Sequence, residues 1–517
     1  MALDRLIAAG LLYRQGVPPH ASYLFNHALV RDAAYGTLLR DARRELHARI
    51  AGSIESQFAE LAERQPELLA RHHTEAGHIE KAALQWGRAG QRSLERSALA
   101  EAAEQIGRAL KQIATLPSTS ALRRKQIELQ VALITPLVHL KGFAAPETKA
   151  AEEKAQLLIE QAEKLGEPVE DPLLLFAVLY GVWAANYIAF NGSVMHELAA
   201  RLLALAEKQS TRIPLMMAHR VMGGSLVCTG DFAGGRMHED LGLALYDPFE
   251  HRPLAMRFGQ DAKVVMLLYR SIALWALGYP DAARADVREA LKDARELGQA
   301  ATQMFALLHA SWPHIQCGNY RAANAEAEEL ATLAEEKRTL FWQALATATQ
   351  GCLAALSGNA ADAVRMVSSG MKALRSTGAT LWTPLYLSYL TLAHAQLGQF
   401  DDAWRCIEEA MTAVEATNER WYEAEVYRVA GETALMPEKP DRAKAEVHFV
   451  RALAVARRQQ AKSWELRAAT SLARLRRDQG KGADARELLA PVYEWFTEGF
   501  DTPDLKEAKA LLTELAS

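Results

Sequence analysis

Turns that recur every 40 residues constrain the fold of this 517-residue chain more than any other feature. Four segments of the form Gly-x-x-x-x-Ala begin at Gly278, Gly318, Gly358 and Gly398, each between two helical patterns. Similar turns extend the series in both directions, at Gly77, Gly192, Gly230, Glu438 and Gly480. Self-similarity at a fixed period of about 20–50 residues is the sequence signature of a repeat array. The spacing therefore predicts stacked helical hairpins over most of the chain.

Small residues at fixed offsets from these turns support the repeat frame. The position seven residues before each turn is small, and the position five residues after it is Ala or Gly in every repeat except one, where Glu197 stands. The small residues after the turns are Ala82, Gly235, Ala283, Ala323, Ala363, Ala403, Ala443 and Ala485. Paired small residues let two helix backbones approach closely. We expect these positions to lie at the contact between the two helices of each hairpin.

This pattern resembles the tetratricopeptide repeat, which has a small residue in its first helix and Ala in its second at a period of about 34. The period here is nearer 40, the Trp and Tyr pattern of the first helix is weak, and little Pro closes the repeats. The resemblance covers roughly residues 65–495. It implies an all-α fold, a right-handed superhelical α-solenoid of tetratricopeptide-like hairpins whose first helices line a concave groove.

Composition narrows the class of protein. Apolar residues make up 50% of the chain and charged residues 24%, which excludes a disordered or low-complexity chain. The net charge of −4 provides no basic field for nucleic acid or an anionic membrane surface. The four cysteines form no C-x-x-C pair, and the N-terminus lacks a signal-peptide core, so we expect a cytoplasmic protein.

One stretch, residues 172–196, contains no Asp, Glu, Lys or Arg and is long enough to cross a membrane. Comparable uncharged stretches recur in other first helices, at residues 297–320, 339–361 and 376–400. Their recurrence within the repeat frame favours buried first helices over membrane spans.

The first 45 residues do not fit the repeat. LDRLIAAGLL predicts a short helix, LLYRQ and SYLFNH predict two strands, and GVPPHA between them predicts a turn. A helix followed by a hairpin is typical of the end of a winged-helix domain. A single helix is then predicted from about His27 through Phe58. We therefore expect a winged-helix remnant with its connecting helix over residues 1–45 and a solenoid over residues 46–517.

A second resemblance involves YLFNHALVRDAAYGTLLRDARRELHARIA, the following ARHHTEAGHIEKAALQWGRAGQRSLERSALAEA and the C-terminal run from QQAKSWELRAATSLARLRRDQGKGADARELL onward. These runs are similar to the C-terminal repeat region of bacterial signal-transduction ATPases that often carry class III adenylate or guanylate cyclase domains. The resemblance implies a non-catalytic interaction or sensor scaffold whose partner is another protein or the catalytic half of the same system.

The sequence contains no G-x-x-x-x-G-K-[ST] motif, and we expect neither catalytic residues nor a cofactor in this chain. Two alternatives stay open at this stage. The chain could be the ligand-sensing region of a transcriptional activator, although it ends without a helix-turn-helix, or the regulatory part of an active cyclase or ATPase whose catalytic domains lie upstream. Direct binding of nucleic acid or membrane is not expected.

Residues six and three before each turn should face the concave groove. This rule selects four candidates for binding a protein partner or a small apolar ligand: Asn186, Trp275, Trp312 and Cys352, with Ile272 and Ile315 around them. Because most first helices carry no formal charge, we expect the groove to recognise an apolar or aromatic element.

An insertion provides the second candidate site. The spacing from Gly230 to Gly278 is 48, and the surplus falls near residues 246–261, which are rich in Pro, Arg, His and Asp. Insertions in solenoids usually form loops on one face. Structural filler is the simpler interpretation, and the candidate binding residues are Asp247, His251, Arg252 and Asp261.

Three histidines, His72, His73 and His78, resemble a metal cluster at first sight. On one continuous helix His73 and His78 would not share a face as i,i+4 ligands do, so no metal site is expected.

Overall fold

A computed structural model of the chain describes residues 2–17, 21–141, 145–167, 172–209 and 211–516. The chain divides into two compact units, Met1–Gly90 with Gln105–Ser118, and Gln91–Glu104 with Thr119–Ser517. The predicted domain boundary after residue 45 falls within a helix of the first unit, and the proposed division at that point stays a prediction.

The first elements are a short helix and a two-stranded hairpin. These are α1 (Ala2–Ala8), β1 (Leu12–Gln15) and β2 (Ser22–Phe25). The strands pair antiparallel, with Leu12 opposite Phe25. The helix and hairpin fit the expected winged-helix remnant. Residues 18–20 of the predicted turn lie outside the described residues.

Helices account for the next part of the chain. They are α2 (Ala28–Gly36), α3 (Arg40–Gln57), α4 (Ala59–Arg64), α5 (Pro66–Ala76) and α6 (Ile79–Glu95). The single helix predicted from His27 to Phe58 is wrong, because the chain leaves the helical conformation after Gly36. Leu39 adopts an extended backbone with ψ of 153° and precedes the first turn of α3. The Thr37 hydroxyl donates to the carbonyl of Ala34, which closes the end of α2.

Paired helices continue to the C-terminus. They are α7 (Leu99–Ile113), α8 (Ser120–Lys141), α9 (Pro146–Lys164), α10 (Pro172–Ile188), α11 (Gly192–Gln209), α12 (Arg212–Thr229), α13 (Phe232–Leu245), α14 (Pro248–His251), a 3₁₀ turn (Arg252–Leu254), α15 (Ala255–Phe258), α16 (Ala262–Ala276), α17 (Pro280–Leu297), α18 (Ala300–Gln316), α19 (Tyr320–Glu336), α20 (Leu340–Leu356), α21 (Ala360–Ser376), α22 (Thr383–Gln396), α23 (Phe400–Thr417), α24 (Glu423–Leu435), α25 (Arg442–Arg458), α26 (Lys462–Asp478), α27 (Gly482–Glu494) and α28 (Pro503–Glu514). The predicted tetratricopeptide-like α-solenoid is thereby confirmed.

The turns between paired helices lie where the repeat frame predicts them. At Gly278 the backbone has φ of 95°, a left-handed conformation that favours glycine, and a Cβ there would lie 2.5 Å from the Trp495 ring. The second helix, α17, begins two residues later. Ala283, Ala363 and Ala403, five residues after their turns, have no exposed surface, in agreement with close helix packing.

The predicted frame is out of register by two residues at Glu438 and at Gly192. The helix after Glu438 begins at Arg442, so Ala445 is buried where Ala443 had been predicted, and Ala443 is exposed. Likewise α11 begins at Gly192 itself. The left-handed turn position is Phe190, with φ of 34°. This shift explains why Glu197 breaks the small-residue pattern.

Successive turns of the superhelix touch each other in the second unit. Contacts recur between repeats five apart along the chain, which no single-repeat pattern encodes. The indole N–H of Trp342 donates to His139 over 3.1 Å. The backbone N–H of Thr380 donates to the carbonyl of Ile188 over 3.0 Å, and the hydroxyl of Ser463 donates to the carbonyl of Trp275 over 2.5 Å. The first helices that make these contacts are therefore covered by the neighbouring turn of the superhelix.

Throughout the described ranges, no helix combines the length and apolar character needed to cross a bilayer. The segment that raised this question, residues 172–196, contains α10 and the start of α11 instead.

Candidate functional site

An aromatic seam runs through the interior where superhelical turns meet. We define the seam as Trp275, Trp312, Trp382, Trp421 and Trp464, all at most 5% exposed. Their rings make edge contacts, with centroids 4.6 Å apart for Trp275 and Trp464 and 5.1 Å apart for Trp312 and Trp421. Edge-to-face pairs of this kind stabilise a core beyond the area they bury. The seam therefore fixes one superhelical turn against the next.

The structure brings two of the four predicted groove residues together. Trp275 and Trp312 touch, with ring centroids 5.1 Å apart, but both are buried in the seam and do not face an open groove. Cys352 is buried in α20, and Asn186 is half-buried in α10, where its amide donates to the carbonyl of Val182. A role of these residues in binding a partner stays a prediction.

A surface cavity lies among the C-terminal repeats. Its volume is about 260 Å³, its lining comes from helices between α18 and α28, and we call it the C-terminal bowl. Its lining includes Gln316, Tyr320, Tyr389, Glu425, Arg428, Arg467, Ser471, Arg474, Asp504 and Glu507. The bowl is thus rich in charge, in contrast to the apolar groove expected from the uncharged first helices.

Ion pairs organise the C-terminal bowl. Arg428 pairs with Glu425 over 2.8 Å, and Arg467 pairs with Asp504 over 2.8 Å. Burial alone would raise the pKa of the Glu425 carboxyl, but the adjacent Arg428 guanidinium holds it below its ordinary value. The Gln316 side-chain nitrogen is buried and lacks a hydrogen-bond partner among the described residues. The bowl therefore presents fixed charges of both signs and one unsatisfied amide.

The four candidates of the insertion have local structural partners. Asp247 caps α14 by accepting from the backbone N–H of Phe249 and of Glu250, and His251 is buried behind it. The Arg252 guanidinium lies 3.6 Å from the Glu296 carboxylate. Asp261 caps α16 and also accepts from the Tyr246 hydroxyl over 2.7 Å. These contacts account for the four residue types, and a binding role for them stays a prediction.

The end of the insertion contributes to an enclosed cavity that sequence reasoning missed. We call this cavity the inner chamber; its volume is about 40 Å³. Arg220 of α12 and Gln260, near the end of the insertion, supply its polar wall, and Arg220 is only 3% exposed. Its sequence signal was available, because Arg220 interrupts an apolar run in a first helix, MMAHRVMGG.

The histidines of the first unit lie closer together than the sequence predicted. Because α5 ends at Ala76 and Gly77 turns the chain back, the Nδ1 atoms of His73 and His78 lie 3.3 Å apart. The other ring nitrogen of His73 lies 3.1 Å from Glu55. In the part of the chain that the structure describes, no group of three or more His, Cys, Asp or Glu side chains is arranged to hold a metal ion.

Comparison with known protein sequences gives one relative and no family. No family model matches the chain. The uncharacterized protein R02095 of Rhizobium meliloti (strain 1021) is 24% identical over 436 residues, which are 83% of this chain and 41% of that protein. The chain thus spans about two fifths of the length of this relative.

Solved structures also align with much of the chain, and one of them does so with a TM-score above 0.5. A Rap protein complexed with Competence and Sporulation Factor aligns with a TM-score of 0.51 at 13% identity, covering 74% of this chain and 99% of that one. The Cut9–Hcn1 hetero-tetramer of the APC/C aligns with a TM-score of 0.46 at 14% identity, covering 95% of this chain and 99% of that one. A STAND protein with a tetratricopeptide repeat sensor from Pyrococcus horikoshii has a TM-score of 0.34 at 11% identity, covering 88% of this chain and 74% of that one. At 13% identity the likeness to the Rap protein concerns the fold alone.

Proposed function

We propose that this chain is a non-catalytic scaffold for protein interaction and sensing, the regulatory repeat region of a bacterial signalling protein of the ATPase or cyclase type. The observation that carries the proposal is that the solenoid buries the aromatic seam in its core but leaves the charged C-terminal bowl accessible. The sequence resemblance to the repeat region of signalling ATPases supports the signalling context. The longer Rhizobium relative is consistent with a repeat region joined to other domains.

The C-terminal bowl is the proposed contact surface for the partner. Its ion pairs hold guanidinium and carboxylate groups in fixed positions, which favours selection by charge complementarity. Tyr320 lies in the lining of the bowl and is 45% exposed, so it can serve as an aromatic anchor. The partner is accordingly a polar protein segment with both charges and at least one apolar side chain.

The sensing half of the proposal rests on a separate observation. The inner chamber combines a buried cation with aromatic walls, and an enclosed site of this kind suits a small ligand. The Rap protein that shares the fold was itself solved in complex with Competence and Sporulation Factor. The chamber is lined by first helices of several repeats, so a ligand bound there can change how those repeats pack against one another.

A titration of the purified chain against the ATPase or cyclase polypeptide encoded beside its gene tests the proposal. We expect a stable complex, and we expect Tyr320→Ala to weaken it at least tenfold. Phe249→Ala is the matched control, because Phe249 is an aromatic residue 93% exposed outside the bowl. Equal losses in the two variants, or no complex with the native chain, would contradict the proposal.

A further inference from the structure

The inner chamber lies at the meeting point of first helices from successive repeats. Its walls come from α10, α12, α16, α18 and α20, and seven aromatic residues form most of them: Tyr180, Trp183, Tyr187, Tyr269, Phe305, Phe341 and Trp342. A second space of about 30 Å³ adjoins it and shares Tyr180, Ala184 and Gln260. Because a water-sized group needs roughly 10–15 Å³ on this measure, the two spaces hold a ligand of only a few non-hydrogen atoms.

Arg220 brings a permanent positive charge into this apolar enclosure. One of its terminal nitrogens donates to the Tyr180 hydroxyl over 2.8 Å and to the Gln260 side-chain oxygen over 3.1 Å. The other lies 4.0 Å from the Met217 sulfur, a weak acceptor. Among the described residues no carboxylate approaches within 4.0 Å of the guanidinium. A buried cation without an anionic partner is costly and marks a place where an anion would be stabilised.

Two nearby acids do not pair directly with Arg220. The Glu239 carboxyl is fully buried without a hydrogen-bond partner among the described residues, and burial raises its pKa well above the ordinary value against the attraction of Arg220 and Arg270. The Asp261 carboxylate accepts from the Tyr246 hydroxyl and from the backbone N–H of Val264. Arg220 attracts both carboxyl groups through space but forms a direct ion pair with neither of them.

His309 contributes a neutral hydrogen-bond acceptor to the lining of the inner chamber. Its Nδ1 lies 3.0 Å from the carbonyl of Phe305, which can only accept, so Nδ1 carries the proton. The Nε2 atom is then an acceptor, and it is buried without a partner among the described residues. Burial lowers the pKa of His309 to about 3, which keeps the ring neutral. The chamber thus offers one cation, the neutral acceptor of His309, the unpartnered hydroxyl of Tyr187 and mostly aromatic walls, with no second cation in its lining.

We propose that the inner chamber binds a short-chain monocarboxylate, with its carboxylate on Arg220 and its alkyl chain against the aromatic walls. A guanidinium matches the planar geometry of a carboxylate, and the Gln260 amide lies beside it. A dicarboxylate does not fit, because the lining of the chamber holds no second cation to pair with its second charge. This inference gives a ligand class to the sensing half of the proposed function and rests on it for its biological meaning.

The experiment uses the full chain with propionate as the probe, measured by calorimetric titration and by the shift of the thermal unfolding midpoint. Propionamide has the same size without the charge, succinate adds a second carboxylate, and chloride controls for a general anion effect. We expect only propionate to bind and to raise the midpoint with concentration. Equal binding of propionamide, or no binding of propionate at tens of millimolar, would overturn the inference.

Two variants locate the site. Gln260→Glu places a carboxylate beside Arg220, so it should raise the unfolding midpoint without ligand and reduce propionate affinity at least tenfold. Gln460→Glu makes the same change of charge at an exposed position and should leave affinity unchanged. Undiminished binding to Gln260→Glu would overturn the inference. Partner binding is measured separately, so a chain that binds its partner but not propionate refutes this inference alone.

Discussion

The indole rings of Trp275 in α16 and Trp464 in α26 lie edge to face, with centroids 4.6 Å apart and planes inclined by 75°. Their helices belong to repeats five positions apart, so the contact joins consecutive turns of the superhelix. The hydroxyl of Ser463 reinforces it by donating to the carbonyl of Trp275. A surface that an open solenoid would offer to a partner is here part of the core.

Trp312→Ala should destabilise the fold. Trp312 is 5% exposed and contacts Trp275 and Trp421, so truncation leaves a cavity that costs about 3–5 kcal/mol. Urea unfolding followed by circular dichroism measures the loss. Phe249→Ala, on an exposed aromatic, should leave the transition unchanged. A native-like transition for Trp312→Ala would show that the ring does not belong to the core.

The corrected register in α25 gives a second prediction. Ala445→Leu should overpack the contact between α24 and α25 and cost about 1–3 kcal/mol, because Ala445 has no exposed surface. Ala443→Leu, two residues away on the exposed face, should be nearly neutral. The thermal unfolding midpoints of the two variants decide between the registers. A lower midpoint for Ala443→Leu than for Ala445→Leu would favour the register predicted from the turn at Glu438.

Glu419 predicts a dependence of stability on pH. Its carboxyl is buried and accepts from the backbone N–H of Trp382 over 2.8 Å and the indole N–H of Trp421 over 3.0 Å. Burial raises its pKa to about 8 from an ordinary value of 4.5. The folded state therefore binds a proton that the unfolded state releases, and its stability falls as the pH rises from about 4.5 to about 8.

Glu419→Gln removes this titration and keeps an acceptor for both N–H groups. The variant should gain stability relative to the native chain between pH 5 and pH 8, by up to about 1.4 kcal/mol for each pH unit. Urea unfolding of the variant and of the native chain at pH 5 and at pH 8 measures this difference in the free energy of unfolding. Parallel pH profiles of the native chain and the variant would show that Glu419 is already ionised in the fold.

The purified chain should hydrolyse neither ATP nor GTP and should cyclise neither. The sequence lacks the G-x-x-x-x-G-K-[ST] loop that cradles phosphates in these enzymes. Phosphate release and cyclic nucleotide formation are the two measurements. Turnover that follows the protein peak through several columns would contradict a non-catalytic scaffold.

The sequence predicted local structure well because each hairpin is specified within one repeat. The turn at Gly278 and the buried Ala283 follow from a pattern about 40 residues long. The closure of the superhelix depends on small rotations that accumulate over five repeats, so no single-repeat pattern contains it. For that reason the repeat frame predicts Trp275 in a groove, whereas the structure buries its side chain in the core.

The candidate site was predictable in part. The surplus residues near 246–261 did mark an unusual place, because Gln260 among them lines the inner chamber. Arg220 could have been found as a charge within an apolar first helix. Its pairing with Gln260 could not, because that contact depends on how the insertion folds back against α12.

A cross-link between α17 and the segment before α28 tests the closure of the superhelix most directly. The Arg284 guanidinium pairs with the Asp501 carboxylate over 2.8 Å, again across consecutive superhelical turns. With Cys406 replaced by Ser, the pair Arg284→Cys and Asp501→Cys should be joined within one chain by a short bis-maleimide. The control pair combines Arg284→Cys with Arg365→Cys, because Arg365 is exposed and pairs within its own helix. We expect efficient intramolecular cross-linking for the first pair alone; absence of that product, or equal yields for both pairs, would contradict a superhelix closed on itself.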